Sequence, residues 1–430
     1  MNKRLDTWAV RPSYAWFVWG LGASFFCAEY FARLAPSVMV KQLMKAFQVD
    51  ALGLGTLSAF FYIAYLVMQL PVGMLIDRYG AHRLLCLSAL VCGLSCFLLG
   101  FSDSLWMAEL SRFMIGFGAA FAFVGTLKLA SIWFPPERFG LLAGSTQAIG
   151  MLGAAVGEGP VALTVSVIGW RATMHWMGLI LIILALLIGL FVKGHPKQKL
   201  AQPDYQLTSL QSMWQGLILV LKNPQTWWVS LFAALIYAPT GSFAELWGVT
   251  YLEAVDHLSH HVAAEAIGMI FLGWGLGGPL SGWISDRLGL RKPNLYCSAI
   301  ASLCFLSIVL YVPGLPTLAI FACLFLYGVS NTGLVTAYAL SGEINQQSVS
   351  GISMAFTNMS SVLLGTLIQP FVGGLLNLNW QGVMLEGVKV YSVSAYQYAM
   401  CVMPITLILA FFVSFKVKET HCHRVESSTL

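Results

Sequence analysis

Apolar stretches of about 20 residues follow one another along almost the whole chain, and that is the length a helix needs to cross a bilayer. Twelve can be delimited: 14–37, 51–75, 83–101, 104–130, 140–166, 172–193, 226–251, 263–284, 294–312, 316–341, 349–377 and 393–415. Only 10% of the residues are charged, against about 25% in an ordinary soluble domain, so lipid is the solvent for most of this protein. The fold class is therefore an all-α membrane protein. The longest polar interval, 194–225, divides the spans into six and six. It separates an N-terminal bundle (1–193) from a C-terminal bundle (226–415) as a cytoplasmic linker, with 416–430 as a cytoplasmic tail.

Charge placement supports this division. With both termini cytoplasmic, 16 of the 23 Lys and Arg residues fall on the inner side and four on the outer side (Lys41, Lys45, Arg171 and Lys389). The remaining three, Arg33, Arg112 and Lys128, lie within spans. A four-to-one bias satisfies the positive-inside rule. The net charge of +5 is scattered over short loops and does not point to nucleic acid. No processing site follows the first apolar run, which is expected to be its own uncleaved insertion signal. Eight of the nine cysteines sit in apolar segments and read as small buried hydrophobes.

The two halves repeat each other. Gly73-Met-Leu-Ile-Asp77-Arg78-Tyr-Gly80-Ala-His-Arg83 returns 209 residues later as Gly282-Trp-Ile-Ser-Asp286-Arg287-Leu-Gly289-Leu-Arg-Lys292. Phe31-Ala-Arg33-Leu34 matches Phe243-Ala-Glu245-Leu246 at an offset of 212, as Gly116 matches Gly328, while Gln147 and Glu158 match Asn358 and Gln369 at 211. A steady offset over four spans argues for duplication and for a pair of six-helix bundles related by an axis along the membrane normal. Each charged turn joins two spans at the inner face. Its aspartate can accept from a neighbouring helix N-terminus and its arginines can pair with acids or lipid phosphates. Asp77, Arg78, Arg83, Asp286 and Arg287 are expected to form a latch that holds the halves together in one state and releases them in another.

These turns are similar to the signature loop of the major facilitator superfamily. Glu109-Leu-Ser-Arg112-Phe-Met-Ile-Gly116-Phe-Gly118, followed by Trp133-Phe-Pro-Pro-Glu137-Arg138, resembles that superfamily's fourth helix and the loop after it. The resemblance covers essentially the whole chain. It implies two pseudo-symmetric six-helix bundles, a central cavity and secondary transport by alternating access. The arginine in the first span and Arg-Phe-x-x-Gly-x-Gly in the fourth are similar to organic-anion and sugar-phosphate permeases. Phe26-Cys27 with Glu-x-x-Arg-Phe is similar to the lysosomal dipeptide transporter branch and its bacterial relatives. In the fifth span Gly144, Gly153 and Gly157 follow an antiporter pattern, but Glu158 stands where proline would follow and Pro160 comes two residues late, which speaks against a drug antiporter.

Ionisable groups at membrane depth usually face a cavity or a partner. Glu29 and Arg33 are spaced i, i+4 and Glu109 and Arg112 i, i+3, so each pair can neutralise itself on one helix. In the functional reading Arg33 and Arg112 bind a substrate carboxylate or phosphate, with Glu29 and Glu109 as orienting partners. Glu158 shares a helix face with Gln147, and Asn358 and Gln369 repeat that spacing, so the two faces are expected to form opposed polar walls of one cavity. A desolvated carboxyl there suits a proton carrier. Arg33 and Glu245 stand at equivalent depth and are expected to pair when the outer side is closed; in the rival reading Arg33 serves the substrate and Glu245 serves protons. Lys128 either joins the cavity or snorkels to the inner surface. His257, His261 and their neighbours read as a solvated outer loop.

The expected function is proton-coupled uptake of a small anionic or zwitterionic metabolite, with no enzyme activity, cofactor or metal. The chain is expected to act as a monomer in a bacterial inner membrane. A ligand sensor built on the same fold is the alternative, although no added docking domain is visible in the linker or tail. A channel would lack the duplicated latch.

Overall fold

The computed structural model describes residues 12–69, 71–134, 138–192, 210–346, 349–385 and 387–423. Lys3, Arg4, Arg11, Glu137, Lys193, Lys197, Lys199, Arg424 and the linker up to residue 209 lie outside the described residues.

The N-terminal half comprises α1 (Pro12–Leu34), α2 (Val40–Phe47), α3 (Ala51–Met68), α4 (Pro71–Tyr79), α5 (Ala81–Gly100), α6 (Leu105–Trp133) and α7 (Phe139–Phe191). After α8 (Leu210–Lys222), the C-terminal half comprises α9 (Pro224–Pro239), α10 (Gly248–Val255), α11 (His260–Leu288), α12 (Lys292–Tyr311), α13 (Thr317–Ser330), α14 (Gly333–Glu343), α15 (Ser350–Leu378), α16 (Val393–Ala399) and α17 (Val402–Ser414). A short hairpin, β1 (Met384–Leu385) with β2 (Val388–Lys389), precedes α16.

Among the described residues, 10 helical segments are long and apolar enough to cross a membrane. One of them, Leu141–Phe191, has 51 residues, enough for about 76 Å at 1.5 Å per residue and far beyond one bilayer core. Gly169 (φ 81°) breaks it into the expected fifth and sixth spans. With α1, 23 residues long, the total is the twelve of the sequence reading.

The repeat is visible in the packing. A Cβ on Gly116 in α6 would lie 2.0 Å from Phe61 O in α3, and one on Gly328 in α13 would lie 2.1 Å from Ile270 O in α11. Gly116 and Gly328 are the pair matched at 212, and Phe61 and Ile270 are 209 apart, as the charged turns are. Helix backbones touch at the same place in both halves, and only glycine permits it. The halves meet where α3 packs on α15 and α7 packs on α11.

Three elements differ from the expected spans. Val40, Leu43, Met44 and Phe47 share a buried face, so the stretch expected as an outer loop forms α2. Within the expected linker, Leu217, Val220 and Leu221 pack α8 on Val349, Ile352 and Phe356 of the C-terminal half. The seventh span is interrupted by a π-helical segment, Thr240–Trp247, just after Pro239. Single π turns of this kind cluster at functional sites.

Candidate functional site

The centre of the molecule is organised by the way α1 ends. Pro36 has no N–H to offer Ala32 O, and the chain tightens into a 3-10 turn over Ala35–Val38. Carbonyls left bare at membrane depth must find other donors. Arg112 of α6 supplies them, donating from Nη1 to Ala32 O (2.8 Å) and from Nη2 to Arg33 O (3.2 Å). Its side chain is 1% exposed and its guanidinium lies 4.9 Å from the centre of the Phe61 ring. This corrects the expected Glu109–Arg112 pair. Arg112 turns to the end of α1, and Glu109 remains part-exposed on the helix surface.

The Glu29–Arg33 pair does form. Arg33 donates from Nε (3.3 Å) and Nη2 (2.8 Å) to the Glu29 carboxylate, and neither side chain is appreciably exposed. Three rings surround the guanidinium: Tyr30 at 4.5 Å, Tyr65 at 4.9 Å and Phe61 at 5.4 Å. Buried cation–π contacts of this kind reach about 2 kcal/mol each. Glu245, in the π segment, does not pair with Arg33. It accepts from Tyr62 Oη (2.6 Å) on α3 of the other half and from Tyr237 Oη (2.9 Å) on its own span. The expected Arg33–Glu245 bridge is therefore replaced by one intrahelical ion pair and one carboxylate held by two phenols, with Tyr62 joining the halves.

Glu158 lies against the 3-10 turn, with Ser37 Oγ 3.0 and 2.9 Å from its two carboxyl oxygens. A cavity of about 10 Å³ beside it, lined in part by Tyr30, Leu34 and Val38, is on the scale of one water. The polar walls differ from expectation. Gln147 is exposed while Glu158 is buried. Gln369 donates from Nε2 to Gly241 O (2.7 Å), and its backbone carbonyl accepts from Trp247 Nε1 (3.0 Å). Both bonds brace the π segment, while the side-chain Oε1 of Gln369 is buried without a partner and stays open to a ligand. Asn358 does sit at the junction, accepting from Tyr338 Oη (2.8 Å) and donating to Gln69 Oε1 of the other half (3.1 Å).

The end of the bundle assigned to the outside by charge is closed by contacts between the halves. Lys41 pairs with Glu253 (2.6 Å), Lys389 of the hairpin pairs with Asp50 (3.1 Å), and Ala51 N donates to Tyr391 Oη (3.2 Å). Burial alone would raise the pKa of Asp50, but the Gly53 N–H, Asn377 and Lys389 outweigh it and hold the carboxyl below its ordinary 3.8. A lowered folded-state pKa means that Asp50 supports closure at neutral pH and that this support is lost as pH falls through the lowered value. Lys389→Met should thus raise labelling of a cysteine at Val38, beneath this closure, several-fold at pH 7. An unchanged labelling rate would remove Asp50–Lys389 from the closure.

At the inner end, in this conformation, the ion pairs of each charged turn lie within its own half among the described residues. Asp77 pairs with Lys128 (2.6 Å), so Lys128 belongs to the latch and not to the cavity. In the C-terminal half Gly289 (φ 64°) ends α11 and turns the chain back, so that Arg291 and not Arg287 reaches Asp286 (2.6 Å) and Glu343 (2.6 Å). Glu419 of the tail accepts from the N–H groups of Arg291 and Lys292 (both 2.8 Å), and Thr420 Oγ1 donates to Glu343 (2.5 Å). Arg78 and Arg287 lie over their neighbours Tyr79 and Trp283, and Arg83 is exposed.

The family model of the Major Facilitator Superfamily matches residues 21–370, most of the chain. The chain belongs to the Major Facilitator Superfamily. Proteins of this superfamily are multi-pass transporters that bind small molecules in the bilayer. Among curated relatives, a probable sulfoacetate transporter of Cupriavidus necator, SauU, is 24% identical over 289 residues, 64% of this chain and 66% of that one. The membrane sensor protein UhpC of Escherichia coli is 28% identical over 306 residues, 66% of this chain and 67% of that one. A third relative, the uncharacterized transporter YybO of Bacillus subtilis, is matched over only 39% of its length. The crystal structure of a bacterial homologue of the human lysosomal transporter Spinster, in an inward-facing and unoccupied conformation, has a TM-score of 0.79 at 15% identity. It covers 96% of this chain and 99% of that one and shares the fold.

Several residues of this superfamily member's centre carried no signal in a reading built on charge. Ser37, Tyr62 and Tyr237 are uncharged partners brought in by tertiary packing. Pro36 was a usable signal, since a proline near the end of a buried helix announces an orphaned carbonyl that some donor has to meet.

Proposed function

We propose that this protein is a proton-coupled importer of a small organic anion, with Arg33 as the anion's counter-ion and Glu158 as the proton carrier. The observation that carries the reading is the Arg33–Glu29 pair, sealed under aromatic faces next to a carboxylate whose ligand Tyr62 comes from the opposite half. An anion that draws Arg33 from Glu29 changes the charges at the junction that must rearrange between inward- and outward-facing states. SauU supports an anionic substrate by its name, though sulfoacetate, with a sulfonate and a carboxylate, carries two charges and so speaks for the anion and not for its charge number. Both termini are taken as cytoplasmic, the membrane as a bacterial inner membrane and the transporter as a monomer.

Hydrogen counting supports the assignment of the proton. Ser37 Oγ has one hydrogen, yet it lies 2.7 Å from Leu34 O as well as 2.9 Å from Glu158 Oε2. If the hydroxyl donates to the carbonyl, the carboxyl supplies the hydrogen of the second contact, and Glu158 is protonated in this conformation. Glu245 accepts from two hydroxyls, the pattern of an ionised carboxylate. In proteoliposomes Glu158→Gln should therefore keep exchange of internal for external substrate and lose accumulation driven by a proton gradient. Full accumulation by this variant would exclude Glu158 as carrier.

A sensor is the second reading, favoured by the match to UhpC. Uptake of labelled substrate by the purified, reconstituted protein decides between the two, since a sensor binds without accumulating.

A further inference from the structure

We infer that the binding site takes a singly charged anion and discriminates against a doubly charged one, because it offers one cation and not two. This rests on the anion reading above. Two arginines lie at the centre, but they are not equivalent. Arg112 commits Nη1 and Nη2 to Ala32 O and Arg33 O at the end of α1, and only its Nε–H is left without a partner. To turn toward a ligand it would abandon two buried carbonyls at a helix end where Pro36 has no N–H to give Ala32 O. Lys128, the third basic residue of the N-terminal spans, is held by Asp77 at the inner face.

Arg33 is placed differently. Its Nε and Nη2 rest on Glu29, and its Nη1 makes no hydrogen bond among the described residues. One carboxylate can be received there by sharing or displacing Glu29. A second negative charge on the same ligand would find no second cation, and it would stand near Glu29 and Glu245 in a region of low dielectric where like charges repel strongly. The remaining donors are neutral. Trp274, whose ring packs edge-on against Tyr237 at 6.2 Å, has a buried Nε1–H without a partner, which suits a hydroxyl or carbonyl oxygen and not a second charge. Arg112 is thus a positioning residue that fixes the backbone from which Arg33 projects.

The test uses the full-length protein in detergent and pairs of ligands matched in carbon number but differing in charge. D-gluconate is set against D-galactarate, and D-glucuronate against D-glucose 6-phosphate. At pH 7.5 the singly charged member of a pair should bind at least tenfold more tightly. For the phosphate the gap should narrow at pH 5.5, because its second ionisation lies near pH 6 and protonation leaves one charge. Equal or tighter binding of the doubly charged members at pH 7.5 would overturn the inference and leave the anion reading standing. Absence of binding by every anion would overturn both. So would binding that survives unchanged in the Glu29→Gln/Arg33→Gln double variant, which leaves no unpaired charge.

Discussion

Replacing Arg33 by glutamine is expected to weaken anion binding at least a hundredfold and to destabilise the protein at the same time. The two effects have separate causes. Glu29 is fully buried, and Arg33 is its only cationic partner among the described residues. Removing one partner of such a pair costs about 3–5 kcal/mol, because the other charge is left without compensation. Replacing both by neutral groups removes that penalty. Glu29→Gln/Arg33→Gln should therefore regain most of the lost melting temperature and none of the lost binding. Thermal unfolding with and without ligand reads both quantities from one sample. If the double variant regains binding as well, Arg33 is structural and the anion sits elsewhere.

Arg112→Met should destabilise the protein by about 2–6 kcal/mol, from two buried carbonyls left unsatisfied at about 1–3 kcal/mol each. The cause assigned to this loss makes it partly reversible. Pro36→Ala restores an N–H four residues after Ala32, so the helix can complete its own ladder there. In the Arg112→Met background, Pro36→Ala should recover part of the stability, whereas in the wild type it should give little. A melting temperature unchanged by Arg112→Met would mean that the guanidinium is not what satisfies the end of α1. A melting temperature lowered by Arg112→Met but untouched by Pro36→Ala would leave the loss to packing on Phe61.

The spans and the duplicated turns were legible in the sequence because each rests on local composition or on a repeated string. The Glu29–Arg33 pair was legible for a similar reason, as its geometry belongs to one helix. The partners of Arg112, Glu158 and Glu245 were not. Most are chosen by which helix packs opposite, and three of the five partners, Ser37, Tyr62 and Tyr237, are hydroxyls, which carry no charge to attract notice. Arg291 was counted only as an inner charge, because its reach to Asp286 depends on the left-handed turn at Gly289. The π segment was invisible to periodicity: its eight residues, Thr240–Trp247, are too few to shift the pattern of a whole span.

The inner turns began as copies and no longer respond alike to the medium. Asp77–Lys128 is a single pair with side chains 59% and 37% exposed, the kind that dissolved ions screen almost completely. Its counterpart surrounds an Arg291 side chain that is 9% exposed with two carboxylates, and the tail adds a third carboxylate on the backbone. Rising ionic strength therefore loosens one half and leaves the other rigid. The salt bathing that end of the molecule is expected to tune the N-terminal turn alone, the C-terminal one being held by charges that dissolved ions reach poorly.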